Sequence, residues 1–200
     1  MAARGAFWLA VYALGFARME RILTDAVNVM RQVSEAAIVE RTKQFFHEEI
    51  RSLIRPRALE AIEAHRAQGD LVYLLTTSST YLSTLIAVEL GLDGYLCNRL
   101  EVVDGRFTGR IHSPLCYGDG KVTHARRLAD ELGVALDECV FYTDSYSDLP
   151  MLLAVGTPVV VNPDLRLRRH AKKRGWPAED WSMKGREGPT LLRSGRGQRV

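Results

Sequence analysis

Short, almost wholly apolar runs that alternate with helical patterns constrain the fold of this chain most. The run at 71–77, LVYLLTT, is polar only at its end, and the run at 158–162, PVVVN, is similar. Strands of this composition are buried on both faces, which is typical of a parallel sheet covered by helices. Because strand and helix patterns alternate from Pro56 onwards, the sequence predicts an α/β domain with a mainly parallel sheet and right-handed crossovers.

The stretch at 139–152, CVFYTDSYSDLPML, brings two carboxylates to one strand-to-helix turn. Asp144 follows a predicted buried strand, and Asp148 lies where a helix begins. Ligands of open parallel sheets bind beyond the carboxyl ends of the strands, and Mg²⁺ prefers one or two carboxylates together with water and phosphate. The two aspartates are therefore candidates for a Mg²⁺ site. The alternative is an ordinary helix N-cap at Asp148 and a turn residue at Asp144.

Two other polar features precede predicted helices. The hydroxyls of Thr76, Thr77, Ser78 and Ser79 stand between a strand and a helix, where the first backbone N–H groups of the helix suit a phosphate. Simple capping of the helix explains them equally well. Lys121, in the segment CYGDGK, lies in the first turn of another helix, where a cation is unfavourable for the helix dipole. A nearby anion would offset that cost; the alternative is a lysine exposed to solvent.

The chain divides into three predicted parts. Residues 1–55 are interpreted as a helical region, 56–180 as the α/β core and 181–200 as a basic, disordered tail. Within the first part, the apolar run at 1–17 is interpreted as a buried helix, with a secretory signal as the alternative, and an amphipathic helix is predicted over 18–31. Within the core, Asp104-Gly105 predicts the turn of a β-hairpin over 99–111.

Composition narrows the class of protein. With 200 residues, 46% of them hydrophobic, the chain suits one buried domain with a small addition. Its three cysteines form no C-x-x-C pair, which argues against a disulfide framework and a structural zinc site and favours a reducing, cytoplasmic location. Export is the alternative if 1–17 is a signal. Neither a nucleic-acid partner nor a membrane partner is expected.

Three of these features occur in a fixed order: a strand that ends at Thr76, a lysine at Lys121 after a glycine-rich turn, and the segment YTDSYSDLPML. Together they resemble the second, third and fourth motifs of the haloacid dehalogenase superfamily. The similar subgroup is subfamily IB, which is phosphoserine phosphatase-like and has a helical cap between its first and second motifs. The resemblance extends over roughly residues 18 to 180 and implies a Rossmann-like parallel sheet with a small helical cap.

The resemblance also implies a function: Mg²⁺-dependent hydrolysis of a small phosphorylated metabolite through an aspartyl-phosphate. By position, Thr76 and the backbone N–H groups of Thr77 and Ser78 would bind the phosphoryl group. Lys121 would neutralise its charge, Asp144 would bind Mg²⁺, and Asp148 would position the metal and the lysine. Such roles suit phosphoryl transfer, which depends on positioning and on the stabilisation of negative charge.

The family's first motif, D-x-D, has no counterpart in the 200 residues. That motif ends the first strand, which lies in the middle of the family's sheet, and supplies the nucleophile and the general acid. The first central strand is therefore expected to be missing, which would leave two apolar strands with unpaired backbone groups beside a gap. The interpretation is an N-terminally shortened phosphatase. The alternative is a catalytically inactive homologue that acts as a metal-binding or phosphate-binding module.

Overall fold

The computed structural model describes residues 19–182. The α-helices in this part of the chain are α1 (Met19–Asn28), α2 (Glu35–Phe45), α3 (Pro56–Ala67), α4 (Thr80–Leu90), α5 (Asp119–Leu132), α6 (Leu149–Ala154) and α7 (Leu165–Arg174). The strands are β1 (Tyr73–Ser79), β2 (Gly94–Asn98), β3 (Leu100–Val103), β4 (Arg106–Ile111), β5 (Val140–Thr143), β6 (Thr157–Val161) and β7 (Ala178–Glu179).

The strands outside the hairpin are parallel, as the sequence predicts, and they form two separate sheets. β1 pairs with β2, aligning Leu75 with Leu96, and β5, β6 and β7 form the second sheet in that order. Within residues 19–182, β1 and β5 do not pair with each other. Each of them therefore has a neighbour on one edge only. This arrangement is the one expected for a sheet whose central strand is absent from the described residues.

Burial in β1 differs from the prediction made from its composition. The apolar run LVYLLTT predicts a strand buried on both faces, yet every residue of β1 is only half-buried. The physical reason is the missing neighbour: with one strand beside it instead of two, β1 loses cover on that side. β6, which has a strand on both edges, is the better buried strand, and its Val160 is fully buried.

Helices α5 and α6 join the two sheets. A cluster of Ala125, Met151 and Val155 packs against Leu75 from β1 and against Phe141 from β5. A second cluster lies on the three-stranded sheet and consists of Leu152, Val160, Leu167 and Ala171. Phe141 also packs against this second cluster, so one strand contributes to both parts of the core.

The predicted hairpin is present and supports the helical region before residue 55. β3 and β4 are antiparallel and turn at Asp104 and Gly105, whose φ angles of 49° and 70° fit a tight two-residue turn. Gln32 N–H donates to the Phe107 carbonyl at 2.8 Å, and Phe107 N–H donates to the Val33 carbonyl at 3.0 Å. The side chain of Phe107 is fully buried.

Two of the predicted segments fall outside residues 19–182: the apolar run at 1–17 and all but the first two residues of the tail at 181–200. Within the described range, none of the helices combines the length and the apolar character needed to cross a membrane.

Candidate active site

Lys121 and Asp148 form a buried ion pair beside the ends of β1 and β5. Each residue is only 5% exposed. Lys121 Nζ donates a hydrogen bond to Asp148 Oδ2 at 2.8 Å and also lies 2.8 Å from Oδ1. Thr143 Oγ1, at the end of β5, donates a second hydrogen bond to Oδ2 at 2.8 Å. Two charges are stable in such a place only when each has its partner, so these side chains specify one another's position.

This geometry excludes the two simpler interpretations. Lys121 is not a solvent-exposed lysine of the first turn of α5, because its ammonium is enclosed by protein. Asp148 occupies the N-cap position of α6, but its side chain does not cap that helix and is directed to Lys121 and Thr143 instead. The dipole cost of Lys121 is thus offset by a carboxylate, as the sequence suggested.

The glycine-rich turn before α5 sets the position of Lys121. Gly118 has a φ of 50°, in the left-handed region that favours glycine. At Gly120 a side chain would collide with the Leu115 carbonyl oxygen, which is backbone and cannot move aside cheaply. The chain therefore enters α5 close to the preceding loop only because both positions are glycine. This tight entry directs Lys121, one residue later, into the protein.

Asn98, which was not among the residues predicted from the sequence, links β1 to the loop that leads to Lys121. Its amide Nδ2 donates to the Thr77 carbonyl at 2.6 Å, and its Oδ1 accepts the Cys116 N–H at 2.8 Å. Asn98 is 4% exposed and ends β2. The sequence signal that could identify Asn98 is its place as a polar residue at the end of the apolar strand GYLCN, since a buried polar side chain needs hydrogen-bond partners.

Cys116 is fully buried near the ion pair, and its thiol donates to the Leu96 carbonyl of β2 at 3.5 Å. Burial raises the pKa of its thiol to about 11, and the opposing charges of Lys121 and Asp148 both act on it. A hydrogen bond from the Thr76 backbone opposes this rise in the pKa of the thiol. A thiol with this pKa stays protonated at neutral pH and is a poor nucleophile. Its full burial is that of a packing residue.

The hydroxyl residues predicted to bind phosphate lie within the second half of β1, which continues to Ser79, and not in a turn after a strand that ends at Thr76 as the sequence predicts. Ser78 N–H donates to Thr76 Oγ1 at 3.1 Å, which leaves the hydroxyl hydrogen of Thr76 able to reach another acceptor. Ser79 is the N-cap residue of α4, and its side chain forms no capping hydrogen bond. Simple capping by Ser79 therefore does not account for this cluster.

Asp144 is exposed and its carboxylate is free of hydrogen bonds and ion pairs to the described residues. Its backbone is fixed: the Asp144 carbonyl accepts the Asp164 N–H at 2.8 Å, and the Asp164 carboxylate accepts the Tyr146 N–H at 2.6 Å. The structure thus brings Lys121 and Asp148 into contact and leaves Asp144 one residue beyond Thr143, apart from them. Residues 19–182 contain no cluster of three or more acidic, histidine or cysteine side chains suited to a metal.

Comparison with known proteins gives the same family as the motifs. The family model for haloacid dehalogenase-like hydrolases matches residues 1–153. A phosphoserine phosphatase of Mycobacterium tuberculosis is 40% identical over 75% of this chain and 49% of its own length. A probable phosphatase of the same organism is 36% identical over 82% of this chain and 57% of its own length. The chain thus spans about half the length of these curated relatives.

Among solved structures, a protein of unknown function from Bordetella pertussis is similar over 90% of this chain and 82% of its own, with a TM-score of 0.82 and 28% identity. The expected α/β fold, with parallel strands covered by helices, is therefore confirmed. Together with the family model, which covers more than half of the residues, these similarities show that the chain belongs to the haloacid dehalogenase-like hydrolase family.

Proposed function

We propose that this chain is part of a Mg²⁺-dependent phosphatase that acts on small phosphorylated metabolites. It supplies the residues that bind the phosphoryl group but not the nucleophile. The observation that supports this most strongly is the buried Lys121–Asp148 pair at the carboxyl ends of the strands. An enclosed lysine held at one position supplies fixed positive charge where a phosphoryl group carries spread negative charge. The relatives named as phosphatases support the same reaction class.

Each side chain has a separate role in this proposal. The Thr76 hydroxyl donates to a phosphoryl oxygen, and the backbone N–H of Thr77 donates beside it. The Ser78 N–H, which donates to Thr76 Oγ1 in the structure, would turn to the phosphoryl group when it binds. Lys121 neutralises charge on the phosphoryl oxygens, while Asp148 and Thr143 hold the ammonium in place. Catalysis by these groups consists mainly of positioning and charge stabilisation, which is what phosphoryl transfer requires.

The described residues supply part of the ligand set that Mg²⁺ needs. Asp144 offers one carboxylate without a competing partner, on a loop whose backbone is held by Asp164. Mg²⁺ is commonly bound by one or two carboxylates plus substrate phosphate and water, so Asp144 would hold the ion and a second carboxylate would come from elsewhere. When bound, the ion would supply Lewis-acid stabilisation of the phosphoryl oxygens.

The nucleophile is not one of these side chains. In the proposed reaction a carboxylate attacks phosphorus, the P–O bond to the alcohol breaks, and the alcohol oxygen takes a proton from the second aspartate of the D-x-D motif. Water then hydrolyses the aspartyl-phosphate and releases phosphate. We place this carboxylate on a further strand between β1 and β5, because both strands have an edge without a partner in residues 19–182. The helical region before residue 55 would act as the cap that selects the substrate, and the location would be cytoplasmic.

A second candidate function is a non-catalytic module that binds a metal or phosphate. The absence of a D-x-D pair from the 200 residues favours it. In that case Asp144, Thr76 and Lys121 would form the binding site, and no covalent step would occur.

The test compares this chain with a longer one that adds an N-terminal strand ending in D-x-D. The longer chain should release p-nitrophenol from p-nitrophenyl phosphate in the presence of Mg²⁺, and Asp144→Asn should abolish this. The control is Asp130→Asn, an exposed aspartate of α5 whose side chain has no partner among the described residues. A longer chain that folds, binds Mg²⁺ and stays inert across a panel of phosphomonoesters would overturn the phosphatase proposal and favour the binding module.

A further inference from the structure

A cleft of about 500 Å³ lies beside β2, separate from the residues proposed for phosphoryl transfer. It is bounded by β2, by one face of α5 and by the loop after β4. We propose that this cleft is a second anion site, which binds a small molecule with a phosphate group on an organic body. None of Thr76, Lys121, Asp144 and Asp148 lines it.

One face of α5 forms a wall of the cleft. His124, Arg127, Leu128 and Glu131 recur at a spacing of three, one and three residues, which places them on the same side of the helix. Two basic side chains and one acidic side chain thus stand along a single wall, with Leu128 between them. Because the helix is ordered by the core cluster around Ala125, these side chains are held at fixed heights along the cleft.

The facing wall places two more basic residues close together. The His112 N–H donates to the Arg99 carbonyl at 2.9 Å, which brings these residues side by side at the base of the β3–β4 hairpin. His124 Nε2 lies 2.8 Å from the Pro114 carbonyl, so this nitrogen is the donor and the loop is fastened to α5. Hydrogen bonds therefore hold the hairpin base and the loop after β4 in place without a ligand.

The charges of the cleft are not balanced internally. Arg99 and Arg127 have no ion pair or side-chain hydrogen bond to the described residues, and Glu131 is the one carboxylate in the lining. The nearby Glu101 is already held by Arg110 at 2.6 Å and by Thr108. A concave surface with surplus positive charge focuses the field and attracts anions.

The chemistry of the lining indicates the ligand class. Guanidinium groups bind phosphate with paired hydrogen bonds, and the His112 imidazole adds a single donor, whereas His124 already donates to the Pro114 carbonyl. Leu96, Pro114 and Leu128 supply apolar contact for an organic part, and the volume lies within the range of small-molecule sites. A phosphate on an organic body matches both properties, whereas a bare inorganic anion would use only the charged rim.

The test uses the 200-residue chain and phenylphosphonate, a phosphate analogue that cannot be hydrolysed, in buffer without Mg²⁺. The imidazole signals of the five histidines are followed by ¹H–¹³C NMR and assigned with His112→Gln and His124→Gln. We expect phenylphosphonate to produce saturable shifts of the His112 and His124 signals, and inorganic phosphate at the same concentration to produce smaller shifts.

Variants separate this cleft from the proposed active site. The double variant R99Q/R127Q should weaken binding roughly tenfold or more, since both guanidinium partners are lost. The matched control is Arg126→Gln, an exposed arginine of α5 that does not line the cleft, and it should bind normally. Thr76→Val should also leave the cleft signals unchanged, and failure of the phosphatase proposal would not alter them. Three results would overturn the assignment of the cleft as an anion site. These are no saturable shifts of the His112 and His124 signals, an equal loss of binding in Arg126→Gln, or a loss of these shifts in Thr76→Val. If the double variant unfolds, the single variant Arg127→Gln gives the same comparison.

Discussion

The ion pair of Lys121 and Asp148 makes the strongest prediction for a single residue. Lys121→Met leaves the Asp148 carboxylate buried with only Thr143 as a donor, and an uncompensated buried charge costs about 3–5 kcal/mol. The free energy of unfolding, measured by urea denaturation, should fall by that amount. The control is Lys43→Met, which breaks an exposed contact of 4.0 Å with Glu40 and should cost under about 0.5 kcal/mol.

A double variant distinguishes a cost of charge from a cost of packing. Replacing both partners with apolar residues, as in Lys121→Met with Asp148→Leu, removes the unpaired charge and should recover part of the lost stability. If the single and double variants are equally stable, the loss of stability in Lys121→Met comes from altered side-chain packing. That result would contradict the attribution of the loss to an unpaired buried charge.

Cys116 makes a prediction about pH. A thiol in the unfolded chain has a pKa of roughly 8.5, whereas burial raises the pKa of Cys116 to about 11. Below the lower value both states keep the proton. Between the two values the unfolded chain loses a proton that the folded chain retains, so the free energy of unfolding falls as the pH rises, by up to about 1.4 kcal/mol per pH unit. Cys116→Ala should have a shallower slope between pH 9 and 11 in denaturation curves; an unchanged slope would contradict the prediction.

At the scale of an element, Asp164 connects helix α7 to the Asp144 loop. Its Oδ1 accepts the N–H groups of Arg166 and Leu167 at 2.8 and 2.9 Å, which caps α7, and its Oδ2 accepts the Tyr146 N–H at 2.6 Å. Asp164→Ala should therefore lower the free energy of unfolding by about 1–3 kcal/mol. Asp130→Ala, on the exposed face of α5, should change it by less than about 0.5 kcal/mol.

A variant that keeps part of the cap tests the link to the Asp144 loop. Asp164→Asn can still cap α7 through its amide oxygen, but it offers one acceptor where the carboxylate offers two. If Asp164 positions the loop, Asp164→Asn should lose much of the order of residues 144–146 while keeping most of the helix stability, as measured by hydrogen exchange. Equal exchange in the variant and the parent would show that the cap alone matters.

Prediction from sequence worked best for elements with a local signal. The Asp104-Gly105 turn, the alternating strands and helices, and the unusual lysine in the first turn of α5 are all read from neighbouring residues, and the hairpin, the parallel strands and the buried Lys121 agree with them. The partners of these elements depend on contacts distant in sequence. Asn98 and Thr143 contribute to the candidate site through hydrogen bonds to Thr77, Cys116 and Asp148, which no local pattern specifies.

At the scale of the whole molecule, the two sheets depend on the helices between them. Met151 lies in the cluster that contacts β1 and β5 alike and is 3% exposed. Met151→Ala should therefore lower the free energy of unfolding by about 2–5 kcal/mol, measured by urea denaturation. Leu153→Ala, on the same helix but 51% exposed, is the matched control and should cost much less. Similar losses in both variants would contradict the prediction that packing in this cluster stabilises the fold more than an exposed side chain of the same helix does.

The unpaired edges of β1 and β5 give the last prediction. β6 has a strand on each side, so its amides should be the most protected from hydrogen exchange, whereas those amides of β1 and β5 that face away from their single partners should exchange fast. Adding a strand between them should protect β1 and β5, raise the free energy of unfolding and leave β6 unchanged, because only the first two strands gain partners. Equal protection of β1 and β6 in the 200-residue chain would mean that another segment or a second copy already covers the edge. The proposed nucleophile would then have to enter the site by a route other than the gap between the sheets.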